Sequence, residues 1–205
     1  MTRLHHLNRS RSHRILWLLE EIGEPYEIVP YRRDATTGLA PPELERVHPL
    51  GKAPMLELDG RLIVESGAIV ETLCERFAPG MIPEPGGEDH LRHRELMHFA
   101  EGSAMTPILL DLYVGRLGEA GAPLRPRIVS ELDRHFRYLD GLVGPSGHFV
   151  GDGLSAADVM LSFPAEIAMR DPEGARRYPG LARFVETIRA RPAYGRAAGK
   201  GAMDE

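Results

Sequence analysis

Pro54, in the stretch GKAPMLELDG, stands at the mouth of an extended segment. A proline there removes one ladder donor, so it belongs at a strand start, an edge or a turn. Its neighbour Ala53 keeps both backbone groups, and these could pair with an extended peptide lying antiparallel beside them, as a strand adds to a sheet. A cis bond before Pro54 would hold Ala53 in that posture. Further on, Glu65-Ser66 falls where a strand ends and a helix begins, with Ser66 reading as the helix N-cap. Free N–H groups and the positive end of a helix dipole can hold a carboxylate there, while Glu65 can pair with an ammonium. Together they suit the two charged ends of an amino acid. The turn Asn8-Arg9-Ser10-Arg11-Ser12 leads into another helix start, where an anion such as a thiolate is stabilised. A hydroxyl at Ser10 or Ser12 could donate to a sulfur. Such a charge-assisted bond contributes about 1.5 to 3 kcal/mol, or about one to two pKa units, which moves a free thiol from near 8.5 toward neutrality. The plain alternatives are a proline that only starts a strand and serines that only cap helices.

Other candidates carry less. Cys74 falls on the apolar face of a helix, where a free cysteine behaves as a small buried hydrophobe, and it has no partner for a disulfide or a Cys-x-x-Cys pair. His5 and His6 are adjacent in a strand and point to opposite faces, and His13 lies on a different element, so no metal is expected. Arg9, Arg11 and Arg14 form a small basic cluster that is either a solvated face or an attractor for an anion.

Regular elements must position these groups. Arg3 to Leu7 reads as a strand, and Ile15, Leu18, Leu19 and Ile22 share one helical face before the stop signals Gly23 and Pro25. Tyr26 to Tyr31 resumes as a strand, giving a βαβ unit with a right-handed crossover. A short helix is expected over Pro42 to Val47. Met55 to Leu58 and Arg61 to Val64 make a hairpin around Asp59-Gly60, and a helix follows with Ile69, Val70, Leu73, Cys74 and Phe77 on its apolar face. Proline and glycine gather in Ala78 to Asp89, the candidate linker. Beyond it strand signals vanish: Leu91 to Tyr113 is helical with a kink at Pro107, and Ile128, Leu132, Phe136 and Leu139 mark another helix. Ser155-Ala156-Ala157-Asp158 resembles a capping box opening a helix that runs to about Met169. Leu181, Phe184, Val185 and Ile188 make a last helix, ended by Pro192.

The chain has 205 residues and a net charge of -5, so it carries no broad basic field for nucleic acid. No segment reaches the roughly 18 apolar residues of a membrane span, and the N-terminal stretch lacks the apolar run of a signal peptide. With a single cysteine, this pattern points to the cytoplasm.

HPLGKAPMLELDG followed by VESGAIVETL resembles the glutathione-binding signature of the glutathione S-transferase superfamily. SRSHRILWLLEE, PYEIVPYRRD and PPELERVHPLGKAP resemble a fungal and bacterial subgroup of it, and FVGDGLSAADVML with YPGLARFVETIRARPAY resembles the recurrent pattern of its C-terminal domain. The resemblance implies an α/β plus all-α fold: a thioredoxin-like, glutathione-binding domain over 1–80 and an all-helical C-terminal domain over 88–205.

It also implies roles. Pro54 matches the family's cis-proline, and Ala53 the residue whose backbone pairs with the cysteinyl unit of glutathione. Glu65 and Ser66 match the acidic-Ser pair holding the γ-glutamyl end, and Lys52 stands near the glycyl carboxylate. Ser155 and Asp158 match a buried capping box that serves folding. The family's serine classes place their catalytic serine at the position held here by Arg9, one before Ser10. Ser10 is therefore the assigned catalytic residue, with Ser12, Arg11 and Asn8 as alternatives. The implied protein is a cytoplasmic, homodimeric detoxification enzyme using glutathione as co-substrate, without metal, to attack small hydrophobic electrophiles in a pocket between domains lined by Met105, Leu109 and Tyr113. Other activities are glutathione-dependent peroxide or disulfide reduction, and a non-catalytic interaction module of the same fold.

Overall fold

The computed structural model describes residues 1–201. The described chain divides into two compact units, one formed by Met1–Pro79 with the segment 189–201, the other by Gly80–Ile188.

In the first unit, β1 (Thr2–Leu7), α1 (Ser12–Ile22) and β2 (Tyr26–Tyr31) form the expected βαβ unit, with β1 and β2 parallel from Thr2↔Tyr26 to Leu7↔Tyr31. After the short helix α2 (Glu43–Val47) come β3 (Met55–Leu58), β4 (Arg61–Val64) and α3 (Ser66–Phe77). The hairpin has the bounds its sequence predicts, because Asp59 and Gly60 both take positive φ, 50° and 79°, as a tight hairpin turn requires. Strand order is β2-β1-β3-β4, with β3 antiparallel to both neighbours. Leu4, Leu56, Ile69, Val70 and Leu73 are fully buried core residues, and α1 ends at Gly23, whose φ of 78° lets its N–H reach the Leu19 carbonyl.

The second unit is helical. α4 (Glu88–Phe99) starts inside the expected linker and passes through a π-helical turn at Ala100–Ala104 into α5 (Met105–Gly115). The expected kink appears as that widened turn, directly N-terminal to Pro107, whose ring cannot accept a regular preceding turn. A 3₁₀ segment at Gly118–Leu124 leads into α6 (Arg125–Leu142). α7 (Ala156–Ala168) opens on a complete capping box. Ser155 Oγ accepts the Asp158 N–H at 3.3 Å, and Asp158 accepts the Ser155 N–H at 2.7 Å and that of Phe149 at 2.8 Å. Burial pushes the Asp158 carboxyl up against these hydrogen bonds, which act to hold it down. α8 (Gly174–Arg177) and α9 (Pro179–Arg189) complete the unit's helices.

The sequence missed the short α8 and the longer last helix. Pro192 does not end the helical chain: it opens α10 (Pro192–Gly201), consistent with the preference for proline in the first helical turn. α10 belongs to the first unit and packs on α1, although the sequence placed 88–205 with the helical part. This explains why α1 buries Leu16 and Trp17 as well as its predicted face: Tyr194 meets Trp17 edge-on at 5.3 Å.

Candidate functional site

The register of the sheet brings the singled-out residues to one end of it. β3 pairs with β1 and β4 only from Met55 on, opposite His5 and Val64. Ala53 therefore lies past the end of both ladders, and its backbone groups are in neither. The Ala53-Pro54 bond is cis; Pro54 is buried, Ala53 partly exposed and Lys52 exposed. β4 ends at Val64, so Glu65-Ser66 stands beside the start of β3. β1 runs antiparallel to β3, so its C-terminal end and the turn Asn8–Arg11 arrive at that same end.

Ser66 is the first residue of α3 and is buried; it is not the N-cap. Glu65 holds that position with φ 70° and ψ 122° and makes no capping bond through its side chain. The local reading put the serine one place too early because Glu65 makes the strand-to-helix corner by itself, in the left-handed half of conformational space that non-glycine residues rarely adopt. The corner leaves the exposed Glu65 and the first N–H groups of α3 at the sheet end.

In the β1–α1 turn, Arg9 takes φ 48° and is exposed. Ser10 keeps 7% of its surface, whereas Ser12 has none. Ser10 Oγ accepts the Ser12 N–H at 3.1 Å and stands 2.8 Å from Ser12 Oγ. Ser12 Oγ accepts the Leu7 N–H at 3.1 Å and lies 2.9 Å from His6 Nδ1 and 3.0 Å from the Leu7 carbonyl. Asn8 Oδ1 accepts the Arg33 N–H at 2.9 Å, while the Arg33 side chain donates to the Asn8 carbonyl at 3.2 Å. The turn is thus braced at Ser12 and Asn8, and of the two serines Ser10 alone keeps exposed surface.

Neither His6 nor Arg33 stood out in the sequence as part of this turn. Only the strand-end fold-back brings His6 to Ser12, six residues away. His5 faces the other side of the sheet, with Nδ1 2.9 Å from the Tyr31 hydroxyl and Nε2 2.9 Å from Glu57 Oε1. Arg14 is 1% exposed, so the basic cluster is no solvated face: only Arg9 and, in part, Arg11 reach the surface. Cys74 is buried, and burial pushes its thiol up to about 12, well away from a reactive thiolate. Met105 is buried, Leu109 partly so and Tyr113 exposed along α5. Among the described residues, no group of three or more His, Cys, Asp or Glu is placed to hold a metal ion, and no helix is long and apolar enough to cross a membrane.

A sheet of this order, closed at one end by a cis X-Pro corner and a helix start, followed by a helical unit, defines a thioredoxin-like domain joined to an all-helical one. Residues 1–74 match the model of the glutathione S-transferase N-terminal domain, and residues 125–193 that of a glutathione S-transferase C-terminal domain. Glutathione S-transferase 3 of Schizosaccharomyces pombe is 35% identical over 93% of this chain and 84% of its own length. Glutathione S-transferase 1 of Saccharomyces cerevisiae is 30% identical over 94% of this chain and 92% of its own. A crystal structure of a glutathione S-transferase from Actinobacillus pleuropneumoniae superposes with a TM-score of 0.84 at 30% identity, covering 98% of this chain and 93% of that one. The chain belongs to the glutathione S-transferase family.

Proposed function

We propose that this protein is a glutathione transferase that activates the glutathione thiol for attack on small hydrophobic electrophiles. The observation that carries this is the gathering, at one end of the sheet, of the Ala53 backbone outside both ladders, the Glu65-Ser66 corner and the Ser10 hydroxyl. Glutathione has a matching order of groups. Its cysteinyl unit pairs with Ala53 beside Pro54. Its γ-glutamyl ammonium and carboxylate meet Glu65 and the N-terminus of α3 at Ser66, and its glycyl carboxylate lies near Lys52. Residues 1–80 form the glutathione-binding domain, and the helical domain begins at 88 and runs to Ile188, with α10 belonging to the first unit.

Ser10 donates its hydroxyl hydrogen to the bound sulfur, which favours the thiolate over the thiol. The thiol proton leaves to solvent. With a chloronitroaromatic substrate the sulfur lone pair forms the C–S bond, and the C–Cl bond then breaks with its electrons departing on chloride. Glutathione is the co-substrate and no metal takes part. The protein works in the cytoplasm as a homodimer, a state supported by exposed apolar side chains on α5, α6 and the turn between them: Leu112, Leu117, Leu124 and Val129.

The test is a pH titration of the thiolate absorbance of glutathione bound to the protein, with Ser10→Ala alongside. The bound thiol should ionise about one to two units below its free value near 8.5, and Ser10→Ala should raise that value. A depressed value that the substitution leaves alone moves the role to another residue of 8–12. If glutathione fails to bind, the family's fold here serves an interaction module and the proposal falls.

A further inference from the structure

Ser12 Oγ has more neighbours than it has hydrogens and lone pairs to offer. It accepts from the Leu7 N–H, and it faces the Leu7 carbonyl at 3.0 Å, His6 Nδ1 at 2.9 Å and Ser10 Oγ at 2.8 Å. A hydroxyl has one hydrogen and two lone pairs, and the Leu7 N–H takes one of the pairs. His6 is 3% exposed and Ser12 is fully buried, so bulk water does not relieve the shortage.

His6 can meet this hydroxyl in two ways. If Nδ1 is bare, it requires the Ser12 hydrogen. The remaining lone pair of Ser12 Oγ then faces Ser10, whose own hydrogen must turn inward to fill it. Ser10, already accepting the Ser12 N–H, would present only a lone pair to a ligand. If Nδ1 carries a hydrogen, it fills the second lone pair of Ser12 Oγ. Ser12 then passes its hydrogen to Ser10 Oγ or the Leu7 carbonyl, and the Ser10 hydrogen is turned outward. A thiolate is repelled by the first arrangement and bonded by the second, so its binding selects the second.

We propose that His6 is a positioning residue that carries a proton on Nδ1 and, through Ser12, keeps the Ser10 hydroxyl free to donate to the bound sulfur. This rests on the assignment of Ser10 above.

A direct measurement is the long-range proton–nitrogen NMR spectrum of the wild-type protein, labelled with ¹⁵N-histidine and loaded with glutathione. Nδ1 of His6 should be protonated, and an unprotonated Nδ1 overturns the proposal. Variants add a functional readout. His6→Phe removes the donor, so the pKa of the bound thiol should rise by about one unit, as in Ser10→Ala. His6→Asn, which keeps an amide near the place of Nδ1, should hold the wild-type value. Adding Ser12→Ala to His6→Phe should restore the low pKa, because no acceptor remains to capture the Ser10 hydrogen; a histidine that only packs would show no such rescue. If Ser10→Ala raises the pKa and His6→Phe does not, the relay is wrong and Ser10 stands. If Ser10→Ala changes nothing, the Ser10 assignment fails and takes the relay with it. Should His6→Phe fail to fold, the spectrum of the wild-type protein decides.

Discussion

Ser10 and Ser12 are alike as residue types, two positions apart, and burial separates them: 7% of one is exposed and none of the other. Local sequence could nominate a hydroxyl at the start of the first helix, since the helix itself was legible, while the preference for Ser10 over Ser12 came from the family resemblance. The choice depends on which hydroxyl is turned into the strand end, and that is fixed by the Leu7 N–H and His6. Pro54 and Glu65 were more legible, because a cis-capable proline before a strand and an acidic-Ser pair before a helix are local patterns. Even there, the positive φ of Glu65 could not be read from a residue type that normally avoids it. Cys74 bears on the chemistry by exclusion. Burial holds its thiol up at about 12, beyond the value of an ordinary cysteine. At pH 8 a small alkylating reagent should leave the native protein unmodified and label one thiol per chain only after unfolding, as mass spectrometry would show. Rapid labelling of the native protein would mean that Cys74 is reachable, and it would bring back a protein thiol as a partner in disulfide reduction.

At the scale of elements, the hairpin was the most legible part and α10 the least. Asp59-Gly60 between two short apolar-rich runs leaves one turn geometry open, so both strand bounds follow. α10 reads PAYGRAAGKG: its buried residues are Ala193, Tyr194 and Ala197, too few and too small to give a periodic apolar signal, and its proline reads equally as the end of the preceding helix. Charge anchors it. Glu20 on α1 is 7% exposed and receives Arg196 Nε at 2.8 Å, with the Lys200 ammonium and the Tyr26 hydroxyl also donating to it. Burial works to raise the Glu20 carboxyl, and the hydrogen bonds from Lys200, Tyr26 and Arg196 outweigh it, lowering the pKa from 4.5 to about 2. A carboxylate depressed in the folded state stabilises that state fully above its unfolded value. The contribution is then lost as pH falls through the interval from 4.5 toward 2. Trp17 is the single tryptophan and lies edge-on to Tyr194, so its fluorescence reports whether α10 is docked. The emission should change as the pH falls through that interval. Glu20→Gln, which loses charge-assisted bonds worth about 1 to 3 kcal/mol, should lower the thermal midpoint at pH 7 and flatten the acid change. An acid transition equally large in Glu20→Gln would place the pH-sensitive contact elsewhere.

For the whole molecule, the sequence showed an α/β part followed by a helical part, since the hydrophobic period changes from mixed to purely helical after residue 80. It did not show that the chain returns from the second unit to the first, because that return rests on contacts between residues about 170 to 180 positions apart, such as Arg191 with Glu21 and Arg196 with Glu20. A further property belongs to the molecule as a body in solution. Leu112, Leu117, Leu124 and Val129 are each about half exposed along α5, α6 and the turn between them, apolar side chains available to a partner surface. A second copy of this chain would cover them. The sedimentation mass at micromolar protein should therefore be twice the chain mass of 22.7 kDa. Replacing Leu117 and Leu124 with lysine puts like charges into the covered patch, where an unpaired charge is costly, and should shift the mass to that of one chain. A wild-type mass near 22.7 kDa removes the dimer from the proposal, and a doubled mass that survives both lysines places the interface on another face.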